Sequence, residues 1–210
     1  MTQAMTYDSL LSDVELYANN SSADFIAQIP RLVMMAENRI ASEVRGLGLQ
    51  RYATGALSQD DPTLAKPSRW RETVSINLTT STGRVFLQQR SYDYCRAFWP
   101  DPTLTEEPRY YADYDYEHFF LVATPDSDYP FELAYYERPE PLSDTTQTSW
   151  TTQYAPQLLL YATLLEAQPF LKNPDQAKQF MELYKQAVAQ LGQEDVRRVQ
   201  DRAAGARRDV

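Results

Sequence analysis

The stretch LLLYATLLEAQPFLKNPDQAKQF, residues 158–180, decides how this chain is read. Leu158, Leu159, Leu160, Tyr161, Ala162, Leu164 and Leu165 leave a helix almost no polar face. A helix that serves one small core needs only an apolar stripe, with polar residues opposite. This one needs cover on several sides, from a membrane, a large core or neighbouring copies of the chain. A membrane span takes about 20 consecutive mostly apolar residues. Glu166, Gln168 and Pro169 interrupt the run first, so no membrane is expected.

Downstream, NPDQ offers Asn173 as a cap, Pro174 at the first helical position and Gln176 where a capping box wants it, which predicts a tight helix-turn-helix. Ala177, Phe180, Met181, Tyr184, Ala187, Val188 and Leu191 then form one seam at three-four spacing, suited to lie along the first helix. Upstream, Ser149 and Trp150 mark the return to helix, with Pro156 tolerated in its first turn. At the other end of the chain, Thr6 caps a helix through Leu10, Leu11, Val14 and Tyr17, ended by Asn19 and Asn20. Ser22 caps a turn or two over 23–28. Pro30 then opens a longer helix with Val33, Ala36, Ile40 and Val44 on one face, stopped by Gly46 and Gly48.

Between about residues 50 and 143 the texture changes to short apolar runs separated by Pro, Asp and Gly clusters, as in strands joined by turns. The best strands are ETVSINL (72–78), HFFLVA (118–123) and PFELAYYE (130–137). SYDYCRAFWP (91–100) reads as a short helix ended by Pro100. The expected class is α+β: a mainly helical bundle of N-terminal helices and a C-terminal hairpin, carrying a small, mainly β insertion. The divisions are 1–49 and 149–194 for the helical domain, 50–148 for the insertion, and a flexible basic tail at 195–210.

The balance of 20 Lys+Arg against 29 Asp+Glu, net −9, argues against phosphate neutralisation as a mode of binding. One cysteine, Cys95, excludes an internal disulfide and a cysteine-based metal cluster. The first residues show no secretory signal, which predicts a chain that stays in the cytosol where it is made. The single histidine, His118, sits among Phe119, Phe120 and Leu121 and reads as a strand residue; Cys95 reads as a buried, inert thiol. YYADYDYEHFF would place Asp113, Asp115 and Glu117 on one face if it were a strand. Such carboxylates beside aromatic rings suit glycan cleavage, and equally the solvated face of a strand. RGLGLQ lacks the rest of a dinucleotide loop, and no Walker sequence occurs. No catalytic, cofactor or metal site is expected, and the chain is read as a non-enzyme.

Two stretches resemble the head-to-tail adaptor proteins of short-tailed bacteriophages. IPRLVMMAENRIASEV (29–44) is similar to that family's early helix, through Ala36, Glu37, Arg39 and Ile40. YYERPEPLSDTTQTSWTTQYAPQLLLYATLLEAQPFLKNPD (135–175) resembles its strand, Pro-Leu-Ser turn, tryptophan, Ala-Pro and apolar helix closing on Glu-Ala. The resemblance implies a virion protein of the neck, assembled in the host cytoplasm as a twelve-copy ring under the portal. Helices would form the ring body, the β insertion would meet tail nozzle or tail fibre proteins, and genomic DNA would pass through the channel without specific binding. Leu159, Leu160, Leu164, Phe180 and Tyr184 would then pack subunits together. The C-terminal segment would reach the portal through Arg197, Arg198, Arg202, Arg207 and Arg208, whose planar forks suit carboxylates. A tail-completion or stopper protein of another type, and a glycan-processing carboxylate enzyme, are the alternatives.

Overall fold

A computed structural model describes residues 4–206 of the 210, with side chains through residue 198. It divides into a helical unit, residues 1–49 and 138–210, and a sheet unit, residues 50–137.

In the helical unit, α1 (Tyr7–Ala18) starts at Thr6, whose hydroxyl accepts from the Ser9 N–H in a reciprocal capping box, and stops at Asn19 in the left-handed region at φ 48°. The second helix, α2 (Ala23–Glu43), is one continuous element. The expected break at Pro30 does not occur. Pro30 lies on the exposed side while Phe25, Ile29, Leu32 and Val33 are buried on the other, so packing offsets the lost backbone bond. Nor do the glycines stop this helix, which ends at Glu43, before Gly46. Gly48 serves a different purpose, since a Cβ there would lie 1.9 Å from the Trp150 indole. The tryptophan occupies the space that glycine leaves.

The sheet unit holds β1 (Gln50–Ala56), β2 (Thr63–Ala65), β3 (Trp70–Thr80), β4 (Gly83–Gln89), β5 (Tyr110–Asp113), β6 (His118–Val122) and β7 (Pro130–Glu137), with a short helix α3 (Tyr92–Phe98). The strands form one seven-stranded sheet in the order β1-β7-β3-β4-β5-β6-β2. The expectation of a mainly helical bundle with a small β insertion is therefore corrected: the protein is α+β with a full sheet as its second component. Four strands escaped the sequence reading because they are short or exposed. In β4 only Leu87 is buried, and β1 buries no residue fully. The apolar run of β6 has the opposite cause. Its alternate residues enter two cores, Phe119 and Leu121 joining Ile76, Leu78 and Leu133, while Phe120 and Val122 join Cys95 of α3 and Ala112.

After β7 the chain crosses residues 138–149 and re-enters helix. Gln147 ties this crossing to the start of α1, its carbonyl accepting from Tyr7 N–H at 2.8 Å, and Glu37 of α2 accepts from Leu142 N–H. Ser149 caps α4 (Trp150–Tyr154), and Pro156 opens a separate helix α5 (Pro156–Leu171) rather than sitting inside one helix from 149. Asn173 accepts from Gln176 N–H and begins α6 (Pro174–Ala206). That helix continues through the stretch expected to be a tail from 195; residues 207–210 lie outside the described residues.

Candidate docking and assembly surfaces

The apolar helix α5 is covered from within its own chain. α1, α2, α4 and α6 all pack on it, and nine of its residues are buried, from Leu158 to Gln168. Leu159 and Leu164 are fully buried, and Leu160, Phe180 and Tyr184 nearly so. All five residues assigned to subunit packing are thus interior residues of a single chain. The single-chain core already supplies the several-sided cover that the sequence demands.

Beside this core runs a polar chain that the sequence reading missed. The Tyr184 hydroxyl donates to Glu43 Oε2 at 2.8 Å, Arg39 reaches Glu43 at 3.4 Å, and Arg39 Nε donates to Glu166 Oε1 at 2.6 Å. Burial, helped by the bond to Glu43, pushes the Tyr184 phenol far up. The network links α2, α5 and α6; in sequence only Glu166, the single charged residue of α5, stands out, and nothing there names its distant partners. Glu37, two residues before Arg39 in α2, is pushed up to about 7 by burial, against the opposing effect of the Leu142 N–H. Near the turn between α5 and α6, a groove of about 450 Å³ is lined by Leu165, Gln168, Pro169, Lys172 and Met181 among others. The Gln168 amide nitrogen donates to the Leu164 carbonyl, and its Oε1 has no partner among the described residues.

The residues assigned to portal docking fall into two sets. Arg197 and Arg198 are exposed on α6. Arg202 lies on the same helix beyond the described side chains, and Arg207 and Arg208 lie outside the described residues. Asp195 has a structural task, since its carboxylate accepts from Leu47 N–H at 3.0 Å and ties α6 to the turn after α2.

The three carboxylates considered for catalysis are separated by their local structure. Residues 114–117 form the turn between β5 and β6, not a strand, so alternation does not apply. Asp113 pairs with Lys66 at 2.8 Å, and Asp115 accepts from the N–H groups of Glu117 and His118 at 2.7 and 2.6 Å. His118 Nδ1 lies 3.1 Å from Asp115. Asp115 and His118 serve the turn, and Asp113 pairs outside it with Lys66. Cys95 is buried, and burial pushes its thiol up, away from the reactive thiolate. Lys66, which no motif announced, is nearly sealed in. It donates to the Asp115 carbonyl at 2.8 Å and stands 4.2 Å from the Trp70 ring centre. Among the described residues no cluster of His, Cys, Asp and Glu is arranged to hold a metal, and no helix is long and apolar enough to cross a membrane.

A sequence model of the SU10 adaptor protein family matches residues 5–208, which takes in both units. No curated protein matches the chain.

Proposed function

Because the chain belongs to the SU10 adaptor protein family, head-to-tail adaptors of short-tailed phages, we propose that it forms a closed ring under the portal, extends the DNA channel and gives tail components their platform. The observation that carries this reading is the extent of the family match, which runs from α1 to the end of the described α6. A protein of that family is a structural part of the virion and meets other virion proteins. The ion pair of Asp113 with Lys66 and the turn bonds of Asp115 give two of the three carboxylates structural partners, which favours the adaptor reading over glycan chemistry.

The chain's own charge supports a channel role. The sheet unit holds 8 Lys+Arg against 14 Asp+Glu, and the helical unit 12 against 15, so each unit is net acidic. A lumen of that sign repels phosphates and lets duplex DNA pass without sticking. Twelve copies are proposed for the ring, with a heterologous contact that closes under rotation. The five interior residues named above are spent within the chain, so the contact between copies falls to exposed side chains of the helical unit. Leu16, Tyr17, Ile26, Met34 and Met35 are its large exposed apolar residues on α1 and α2. The portal would be met by the exposed end of α6, beginning with Arg197 and Arg198.

Native mass measurement of the purified protein, alone and with portal, tests the reading. A ring of twelve on the portal is expected. A chain that stays monomeric with portal present overturns it.

A further inference from the structure

The sheet ends in two edge strands, β1 and β2, and the two free edges are built differently. In β1 the ladder fixes where each backbone group points. Leu57 N–H donates to the Tyr129 carbonyl at 2.8 Å, one step beyond the Ala56–Pro130 pair of the β1–β7 register. Bonded pairs recur at every second residue of an antiparallel ladder. Residues 55, 53 and 51 therefore turn their N–H and C=O groups toward β7, and Tyr52, Thr54 and Ala56 turn theirs away. Two details agree with this phase. Pro130, which has no N–H to give, stands opposite Ala56, where none is called for. The Gln50 carbonyl, on the same outer side, accepts from the Arg51 guanidinium at 2.9 Å instead of from a strand.

Tyr52, Thr54 and Ala56 are exposed, and among the described residues nothing bonds to their outward backbone groups. β2 presents far less. It is three residues long, between Pro62 and Pro67, and its ladder leaves only Thr63 and Ala65 facing outward. The Thr63 N–H is already taken by Asp61 Oδ1 at 2.8 Å. Edge strands are normally blunted by shortness, proline, bulges or charge. β2 is blunted in this way; β1, seven residues long with no proline and no charge between Tyr52 and Ala56, is not.

We propose that the outer edge of β1 receives an extended, uncharged or basic segment of another virion protein as an eighth strand. Main-chain hydrogen bonds would supply the affinity, as in other strand additions. Charge decides between this occupant and a second copy of the chain. Two sheet units joined edge to edge would bring together two bodies of net −6 each, from 8 basic and 14 acidic residues. A neutral or basic strand meets no such repulsion, and no charged residue faces it between Tyr52 and Ala56. The inference rests on the adaptor reading, which places the chain among other virion proteins.

Hydrogen exchange read by mass spectrometry on the peptide 50–57 tests it, in the free full-length protein and in purified virions. In the free protein the amides of Tyr52, Thr54 and Ala56 should exchange fast, while Arg51, Ala53, Gly55 and Leu57 are held by β7. In virions those three further amides should become protected. Thr54→Pro deletes an outward donor and leaves the β7 ladder intact. It should melt like the wild type yet lose its place in particles, and Thr54→Ala, which keeps the N–H, should restore it. Unchanged exchange in virions overturns the proposal, as does normal incorporation of Thr54→Pro. Protection that grows with the concentration of the free protein also overturns it, in favour of a second copy. If Thr54→Pro does not fold, the exchange comparison still decides. Absence of the chain from purified particles would overturn the adaptor reading together with this one, whereas presence without protection overturns this one alone.

Discussion

Helix α5 and the exposed stretch of α6 from Glu194 to Arg198 belong to the same helical unit and have opposite sequences. α5 has no polar face and is enclosed by four helices of its own chain. From Glu194 to Arg198, α6 carries charged side chains apart from the exposed Val196, and only Asp195 is half-buried, held by the Leu47 N–H. The difference teaches that apolar character on every side is satisfied within the single chain. Surfaces for other proteins then have to be sought where side chains remain free.

The comparison breaks most readily at Leu159. Replacing this fully buried residue by alanine should destabilise the helical unit by about 2 to 5 kcal/mol, the usual cost of a large cavity in a core. Chemical denaturation of dilute protein measures it. If Leu159→Ala left that stability unchanged and weakened only association, α5 would be an interface helix after all. Gly48→Ala comes next, at about 1 to 3 kcal/mol for overpacking, because the new Cβ would collide with the Trp150 ring. A wild-type melting curve for this variant would show that the tryptophan can move aside cheaply.

The contrast also marks how much could be read in advance. Helix signals were legible where caps and apolar spacing agree, as at Thr6, Asn19 and Asn173. They misled where a proline falls on an exposed helical face, as Pro30 does, because a single residue does not reveal which side of a helix faces water. The sheet was half legible. β6 and β7 carry apolar runs, but β1 is QRYATGA, an edge strand with little to bury, and its membership in the sheet depends on pairing with β7, eighty residues away. Of the surfaces, the arginines at 197 and 198 could be read from composition. The Tyr184–Glu43–Arg39–Glu166 chain and the sealed Lys66 could not, since each joins residues distant in sequence.

A smaller effect is expected at Glu37, which lies on α2 against the crossing segment and belongs to the enclosed side of the contrast. Its folded carboxyl titrates at about 7 against 4.5 for the unfolded chain. The fold therefore holds this proton more tightly than the unfolded chain does. Its contribution is fully present below 4.5 and is lost as pH rises through about 7, about 1 to 2 kcal/mol after allowance for partial exposure. Glu37→Gln keeps an acceptor for the Leu142 N–H and removes the titration. It should match the wild type in melting temperature at pH 5 and exceed it at pH 8. Equal melting temperatures at both values would mean that the carboxylate is solvated and that burial does not govern it.

The smallest effect on stability, and the most specific effect on assembly, is expected from Arg197→Glu with Arg198→Glu. Both side chains are exposed, and both lie more than two turns before the end of α6 at Ala206, beyond the reach of the terminal dipole. Surface changes of this kind stay within about 0.5 kcal/mol, so the melting temperature should not move. Cutting the chain at 195 would be a poorer experiment, because it would also remove Asp195 and its bond to Leu47. If the end of α6 meets an acidic surface on the portal, reversing both charges should weaken co-assembly in a pull-down, most strongly at low salt, where such contacts are least screened. Replacing both arginines by lysine separates charge from geometry. Lysine keeps the sign but not the planar fork, so a contact built on bidentate pairs should weaken with lysine too, by less than with glutamate. Co-assembly that is indifferent to both pairs of substitutions would move the portal contact away from this part of α6 and onto the exposed apolar residues of α1 and α2.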